Sequence, residues 1–93
     1  MKLRFSTEAT AHIANIHSHI SEHNPRAATA VVERIFAATE LLREFPHIGR
    51  EGRDPGTREW VVRGLPYIIV YELDVPGPSE LTVLAVFHGA RRQ

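Results

Sequence analysis

The sequence predicts an α+β fold in which a short N-terminal strand and an antiparallel pair of helices pack on a small, mainly antiparallel sheet. Apolar residues recur at helical spacing through the first half of the chain, whereas the second half contains two apolar runs of strand length. Short connections between these segments favour antiparallel neighbours. With 93 residues, the chain is expected to form one domain, residues 1–93, around one core.

A capping signal marks the first helix. A strand is expected at residues 2–5, and Ser6 then supplies an N-cap, with Glu8 in the first turn to complement the helix dipole. The helix is expected to end at about His23. Its narrow apolar stripe, with spacings of four, three and four residues, comprises Ala9, Ile13, Ile16 and Ile20.

A second helix is predicted to follow almost directly. Asn24 is the expected N-cap and Pro25 the first helical residue, because a proline at that position loses no intrahelical hydrogen bond. The helix is expected to end at about Phe45, where Pro46 stops it. Its apolar face is broad enough to contact both the first helix and a sheet, and comprises Ala28, Val31, Val32, Ile35, Phe36, Ala38, Leu41, Leu42 and Phe45.

Three strands are predicted beyond an ordered loop at residues 46–56, which contains three glycines and two prolines. Residues 57–63, 67–73 and 81–87 are expected to form an antiparallel meander. Alternation in the first of these strands places Arg58, Trp60 and Val62 on one face and the odd-numbered residues on the other. Tyr67 and Tyr71 are expected to be core residues whose hydroxyls reach the surface.

Composition excludes several classes of protein. Eleven Lys and Arg balance eleven Asp and Glu. This zero formal charge argues against a stand-alone nucleic-acid-binding protein, which would depend on counterion release. The absence of cysteine excludes a disulfide framework and a thiolate zinc site. The sequence shows no signal peptide and no apolar run long enough to span a membrane, so a cytoplasmic protein with a protein partner is expected.

Cationic side chains and one imidazole fall at strand ends and in the loops that leave them. Arg58 and Arg63 belong to the first strand of the predicted meander, and His88 follows the last strand, with Arg91 and Arg92 close behind. A rigid sheet can hold such groups at its rim, against a partner, without burying them. These positions are therefore candidates for function.

The same residues also have structural interpretations. His88 can end a strand by bonding a backbone carbonyl. Arg58 can stack on the indole of Trp60 or pair with a neighbouring carboxylate, Glu59 or Asp54. The arginines that follow His88 can form a charged tail.

Four segments occur in a characteristic order. They are residues 45–50 (FPHIGR), 57–59 (TRE), 64–71 (GLPYIIVY) and 86–91 (VFHGAR). Together with the preceding helix pair, they resemble the RelE/ParE superfamily of bacterial toxins, with the ParE branch closest. The resemblance covers nearly the whole chain and implies a RelE/ParE-like fold. It further implies the toxin of a type II toxin-antitoxin pair, a class often connected with plasmid stabilisation.

The resemblance implies two competing activities. ParE-like members inhibit DNA gyrase and are not known for catalysis, whereas RelE-like members are ribosome-dependent ribonucleases that cut messenger RNA. Cleavage of RNA requires a base, an acid and cations around the reacting phosphate, and the candidates are His88, Arg58 and Arg63, with Glu59 as a further acid or base. The ribonuclease branch is typically rich in Lys and Arg and often carries an aromatic residue near the C-terminus.

This chain has a single lysine, zero net charge and no aromatic residue after His88. Gyrase inhibition is therefore the favoured expectation. A third alternative is an inactive homologue that acts only in autoregulation of its operon.

The resemblance also implies a partner, an antitoxin encoded beside this gene that is ParD-like or similar. Operator DNA is expected to be contacted only through that antitoxin, and no cofactor is expected. The residues expected to contact the target are Arg58, Arg63, His88, Arg91 and Arg92. Apolar residues expected to contact the antitoxin are Ile13, Ile16, Ile20, Val32, Phe36 and Trp60.

The histidines of the first helix are candidate metal ligands. His19 and His23 are four residues apart, a spacing that suits a divalent metal, and His12 lies on the same side. The pair lacks a third ligand because Glu22 is expected to point elsewhere. No metal site is predicted, and a mild pH dependence of antitoxin binding is the alternative role for these imidazoles.

Overall fold

The structure is a computed structural model that describes residues 1–74 and 77–91. Its elements, in chain order, are β1 (Lys2–Phe5), α1 (Thr7–Ser21), α2 (Pro25–Glu44), β2 (Arg50–Glu51), β3 (Thr57–Val61), β4 (Tyr67–Leu73), β5 (Glu80–His88) and a 3₁₀ turn at Gly89–Arg91. The strands form one five-stranded sheet in the order β1-β5-β4-β3-β2. The α+β fold predicted from the sequence is confirmed.

The predicted meander of β3, β4 and β5 is present, and the sheet is mixed because β1 runs parallel to β5. The prediction that residues 46–56 form a loop is wrong in part, because this segment contains β2, which pairs antiparallel with β3. Glu59 of β3 explains the pairing. Its carboxylate accepts hydrogen bonds from the Arg50 guanidinium at 3.2 Å and from the Arg53 backbone N–H at 3.1 Å, which holds the segment against β3.

Both predicted helix starts are confirmed. The Ser6 hydroxyl accepts a hydrogen bond from the Ala9 N–H at 3.0 Å, and the Asn24 side chain accepts one from the Ala27 N–H at 3.1 Å. Helix α1 ends at Ser21, two residues before the predicted end. The reason is that Asn24 must adopt an extended conformation to cap α2.

The helix pair packs on one face of the sheet and encloses the core. Ile35 and Leu42 of α2 are fully buried against it, and fully burying such a side chain contributes about 1.5–3 kcal/mol. The remaining buried core residues include Ala9 and Ile13 of α1 and Ile69, Tyr71, Leu81, Val83 and Val86 of the sheet. Within residues 1–74 and 77–91, no helix has the length and apolar character needed to cross a membrane.

The hydroxyl of Tyr71 lies inside the protein, so the prediction that it reaches the surface is wrong. It donates a hydrogen bond to the carbonyl of Pro46 at 2.8 Å and accepts one from the N–H of Gly49 at 3.0 Å. Burial raises the pKa of Tyr71, while the bond from Gly49 and the charge of Arg58 oppose that rise. A side chain at Gly49 would collide with this hydroxyl, because a Cβ would lie 2.4 Å from it.

β5 contains a bulge, and side chains from the start of α1 form hydrogen bonds with its backbone. Val70 pairs with Ala85 and Tyr71 with Val83, so Leu84 is an extra residue without a partner in β4. The Ser6 hydroxyl donates a hydrogen bond to the Leu84 carbonyl at 3.0 Å. The Nδ1 atom of His12 accepts one from the Val86 N–H at 3.2 Å. We call residues 84–86, where α1 replaces a partner strand, the covered edge.

Candidate functional site

The candidate groups are spread along the sheet. Arg58 pairs with Tyr71 across β3 and β4, whereas His88 pairs with Tyr67 across β5 and β4. The two tyrosines are four positions apart in β4, which corresponds to about 13 Å. Arg63 lies near the His88 end, in the turn between β3 and β4. The structure thus brings Arg63 and His88 to the same end of the sheet and places Arg58 toward the other.

Arg58 contacts the loop before β2. Its guanidinium donates hydrogen bonds to the carbonyls of His47 at 3.2 Å and Gly49 at 2.9 Å. These bonds take the place of the predicted stacking on Trp60 or pairing with a carboxylate. With the Tyr71 hydroxyl, Arg58 fixes residues 46–49, so much of its donor capacity serves the fold.

Glu59 is a buried carboxylate, with 3% of its surface exposed. Both of its oxygens accept hydrogen bonds within the β2 segment, from Arg50 and from the Arg53 N–H. Its side chain is therefore held against the β2 segment, with only its edge bordering the surface. A group held in this way stabilises the pairing of β2 with β3.

His88 borders a groove between α1 and the end of the sheet. Its ring meets the ring of Tyr67 edge to face, with centroids 5.6 Å apart, and its Nδ1 accepts a hydrogen bond from the Ala90 N–H at 3.1 Å. That bond differs from the predicted bond to a backbone carbonyl. The groove has a volume of about 580 Å³ and is lined by His12, Asn15, Ile16, His19, Tyr67, Val86, Phe87 and His88.

The C-terminal arginines are placed only in part. Arg91 belongs to the 3₁₀ turn, Gly89–Arg91, that leaves β5. The side chain of Arg91 and the whole of Arg92 lie outside the described part of the chain. Their expected contacts with the target remain predictions.

The six residues predicted to contact an antitoxin do not form one surface. Ile13 is buried in the core, Ile16 and Val32 are half-buried against it, and Ile20 is half-buried near the end of α1. Phe36 is 43% exposed and packs edge to face on Phe5 of β1, at a centroid distance of 5.7 Å. Trp60 is half-buried on β3.

β3 has a free edge that sequence reasoning missed. The Val62 N–H donates to the Tyr67 carbonyl at 2.9 Å, so the backbone groups of Val62 point toward β4 and those of Val61 point away from it. β2 pairs only with Arg58 and Glu59. Within residues 1–74 and 77–91, no strand covers Val61 on that side. We call residues 60–63 the open edge.

Two apolar hollows flank the open edge. The hollow on the helix side has a volume of about 470 Å³ and is lined by Arg34, Ala37, Ala38, Leu41, Trp60, Val62 and Arg63. The hollow on the opposite face has a volume of about 390 Å³ and is lined by Ile48, Arg50, Glu59, Trp60, Val61 and Arg63. Leu41, Ile48 and Val61 are 39%, 41% and 48% exposed, an exposure that side chains of this size rarely show in a cluster unless something binds there.

Cations surround these hollows. The guanidinium of Arg34 donates a hydrogen bond to the carbonyl of Arg63. Among the described residues, neither Arg34 nor Arg63 forms an ion pair with a carboxylate, whereas Arg50 is paired with Glu59. A partial signal is present in the sequence, because Leu41 and Ile48 are apolar residues next to polar ones, but no pattern indicates that they meet at β3.

One of the α1 histidines has a carboxylate beside it. His19 lies 3.8 Å from the carboxylate of Glu22, so the expectation that Glu22 points elsewhere is wrong. In the described ranges, no group of three His, Cys, Asp or Glu is close enough to hold a metal ion. A single imidazole beside an exposed carboxylate is a weak surface pair.

Solved toxin structures have the same fold. A chromosomal ParDE toxin-antitoxin system from P. aeruginosa contains a chain that matches with a TM-score of 0.82 and 21% identity, over 95% of each chain. The RelBE2 toxin-antitoxin complex from Mycobacterium tuberculosis contains one that matches with a TM-score of 0.56 and 29% identity, over 94% of this chain and 95% of that chain. The first likeness, at 21% identity, shows the fold alone.

Sequence comparisons show the family. The relative "Putative toxin Y4kP" of Sinorhizobium fredii is 36% identical over 87 residues, which cover 94% of this chain and 86% of the relative. The family model described as the ParE toxin of the type II toxin-antitoxin system parDE matches residues 3–93. The chain therefore belongs to the ParE toxin family and is a type II toxin of the ParE/RelE superfamily.

Proposed function

We propose that this toxin inhibits DNA gyrase in the cytoplasm and is neutralised by a cognate antitoxin encoded beside it. The observation that carries the choice of target is the separation of the candidate catalytic groups. Arg58 donates hydrogen bonds to the loop carbonyls of His47 and Gly49, and its position along the sheet is about 13 Å from that of His88. Glu59 is buried against the β2 segment. A phosphate held beside His88 has no access to either of these side chains.

The charge of the chain supports the same target. A ribonuclease that docks on ribosomal RNA depends on many phosphate contacts, but this chain carries eleven cations and eleven anions. Inhibition of gyrase requires a protein surface, and Arg63 and His88 offer one at a single end of the sheet, with Arg91 and Arg92 following His88 in the sequence. Contacts of this kind set binding without any covalent step.

The experiment is expression of the toxin from an inducible promoter, followed by assays with purified gyrase and with programmed ribosomes. Loss of supercoiling with intact messenger RNA is expected for the wild type. Arg63→Ala is expected to weaken this inhibition, whereas Arg26→Ala, at the far end of α2, is the matched control. Ribosome-dependent cleavage with unaffected gyrase would overturn the proposal.

Neutralisation by an antitoxin is supported by the exposed apolar side chains around the open edge, and the pair is expected to stabilise the replicon that carries it. Co-expression of the neighbouring gene should restore growth and give a soluble complex. Operator DNA should bind this complex and not the toxin alone, because the toxin has zero net charge. Normal growth on induction of the toxin alone would favour an inactive homologue that acts only in autoregulation.

A ribonuclease is the second candidate, because one groove collects ionisable groups. His12, His19, Tyr67 and His88 line it together, and the Nδ1 of His12 is occupied by the Val86 N–H, which leaves Nε2 for a ligand. An acid and a base from this set are the minimum for attack by a 2′-hydroxyl. Messenger cleavage that disappears in His88→Ala and persists in His17→Ala would establish this activity.

A further inference from the structure

The groove between α1 and the end of the sheet contains two imidazoles whose protons are fixed by the backbone. In a neutral imidazole, one ring nitrogen accepts a hydrogen bond and the other carries the proton. The Nδ1 of His12 accepts from the Val86 N–H at 3.2 Å, and the Nδ1 of His88 accepts from the Ala90 N–H at 3.1 Å. Both rings line the groove, and each therefore presents an Nε2–H donor there.

Other polar groups in the groove add to these donors. The Tyr67 hydroxyl forms no hydrogen bond with the described residues, and the Tyr67 and His88 rings meet edge to face at 5.6 Å. Asn15 and His19 also line the groove, and both are exposed. Among the described lining residues none is acidic, and the nearby carboxylate of Glu22 lies 3.8 Å from His19. This excess of donors favours an anionic ligand.

The rest of the groove is apolar. Ile16, Val86 and Phe87 complete its lining, and its volume is about 580 Å³. Sites for small organic ligands typically enclose about 300–1,000 Å³ and combine apolar walls with a few polar groups of fixed direction. An inorganic anion would use the donors and leave the apolar wall in water, whereas a flat ring can pack on Phe87. The groove thus fits a ligand that joins an anion to a ring.

We propose that this groove binds a free nucleoside monophosphate. The Nε2–H groups of His12 and His88 donate to the phosphate, together with the Tyr67 hydroxyl. A phosphate ester has three strong acceptor oxygens, which equals the number of these donors. The base packs on the apolar wall at Ile16 and Phe87. This inference goes beyond gyrase inhibition and does not depend on it.

Charge and size favour a free nucleotide over a strand of nucleic acid. Affinity for a strand depends on contacts with many successive phosphates, but this chain carries eleven cations and eleven anions. Among the described residues that line the groove, none is a lysine or an arginine. Neutral donors in a groove of this volume suit one phosphate group and one base.

The first test is a titration of the wild-type toxin with adenosine 5′-monophosphate, followed by NMR of the Val86 and Ala90 amides, which donate to the two imidazoles. A Kd below about 1 mM is expected, and adenosine and inorganic phosphate should each bind at least about tenfold more weakly. Equal affinity for the nucleotide and for inorganic phosphate overturns the inference, as does the absence of saturation at about 10 mM. An oligonucleotide with a 5′-phosphate that binds about tenfold more tightly overturns the assignment to a free nucleotide.

The second test uses substitutions in the groove. Tyr67→Phe removes one donor and should weaken nucleotide binding by about threefold to tenfold, and His88→Ala should weaken it by about tenfold or more. His17→Ala, which replaces an exposed histidine of α1 outside the groove, is the matched control and should stay within about twofold. Tyr67→Phe removes a hydroxyl without a described partner, so its result holds even if His88→Ala fails to fold. Unchanged affinity in Tyr67→Phe contradicts the three-donor site.

The protons can be tested without a ligand or a variant. Long-range proton–nitrogen NMR at about pH 8 should show the proton on Nε2 in both His12 and His88. A proton on Nδ1 of either ring overturns the inference. Gyrase inhibition is measured separately, so a toxin that inhibits gyrase without binding the nucleotide overturns this inference alone, and one that binds the nucleotide without inhibiting gyrase overturns only the proposed target.

Discussion

On the outer side of β5, pairing with β1 stops at Val83, and on the outer side of β3, pairing with β2 stops at Glu59. The two edges are then treated differently. Ser6 and His12 of the α1 region bond the next carbonyl and N–H of β5. On β3, Arg34 of α2 bonds the Arg63 carbonyl and leaves Val61 without a strand partner in the described chain. One edge is completed by the fold, and the other has no strand partner at Val61 among the described residues.

The comparison shows that one residue can both cap a helix and protect the edge of a sheet. Ser6 caps α1 and also donates to the bulge in β5, so the residue that starts the helix closes the sheet. At the start of α2, the Asn24 side chain accepts a hydrogen bond from Ala27 of its own helix and, among the described residues, makes none to the sheet. We therefore expect substitutions at the covered edge to change stability and those at the open edge to change binding.

The largest effect is expected for Tyr71→Phe. The Tyr71 hydroxyl holds residues 46–49, the loop that leads into β2, and the position of β2 determines where the open edge begins. The substitution leaves the Gly49 N–H and the Pro46 carbonyl without their partner, at a cost of about 3 kcal/mol in the free energy of unfolding. Thermal unfolding would measure it. The control is Tyr67→Phe, because the Tyr67 hydroxyl makes no hydrogen bond with the described residues. Its loss in the free energy of unfolding should be less than half as large.

The same hydroxyl predicts a dependence on alkaline pH. Because burial raises the pKa of Tyr71, the folded state holds this proton more tightly than the unfolded state does. The stabilisation is complete below about pH 10, the ordinary tyrosine value, and is lost as the pH rises through the folded pKa. Urea unfolding at several alkaline pH values should show this loss in the wild type and a smaller loss in Tyr71→Phe. An equal slope in both would contradict the assignment.

Ser6→Ala is expected to have the next largest effect, since it opens the covered edge and removes the α1 cap. The combined loss is about 2 kcal/mol, or a fall in Tm of about 8–16 °C. Asn24→Ala removes a cap without touching the sheet and should cost about 1 kcal/mol. Equal losses for the two variants would mean that the bond to Leu84 contributes nothing.

A smaller effect is expected for His12→Ala, which deprives the Val86 N–H of its acceptor. The expected cost is about 1 kcal/mol, with faster exchange of the Val86 amide. His17→Ala, an exposed histidine on the same helix, should change the stability by less than about 0.5 kcal/mol. Unchanged Val86 exchange in His12→Ala would show that the covered edge is closed by other groups.

The smallest effect on stability is expected at the open edge. Val61→Thr keeps a β-branched residue and an N–H that no described strand uses, so the free energy of unfolding should change by less than about 0.5 kcal/mol. Chemical denaturation would measure it. A loss above about 1 kcal/mol would show that the edge is part of the core after all.

Much of the fold was predictable because its signals are local. Caps at Ser6 and Asn24, the proline at position 25 and the apolar periodicity each act within a few residues, and the structure confirms them. The alternation of β3 agrees with the hollows, since Val62 lines only the one beside α2, Glu59 and Val61 line only the opposite one, and Trp60 and Arg63 border both.

The missed features depend on contacts that are distant in sequence. β2 exists because Glu59 gathers Arg50 and the Arg53 N–H, and a two-residue strand leaves no periodic pattern. The Tyr71 hydroxyl is buried because residues 46–49 fold over it, 22 and more positions away. The open edge appears only when α2 and the loop before β2 are placed beside β3. The periodicity of a single segment cannot predict contacts of this kind between distant segments.

The parallel pairing of β1 with β5 has a consequence for biosynthesis. Ser6 and Leu84, which are joined by a hydrogen bond, are 78 positions apart. β1 therefore cannot pair with β5 until this interval of the chain has been synthesised. At the usual 5–20 residues per second, translation of that interval takes about 4–16 s. Throughout it, β1 has no strand to pair with and the core is incomplete. The complete fold thus appears only late in synthesis, which leaves an interval in which an antitoxin already present can reach the nascent toxin.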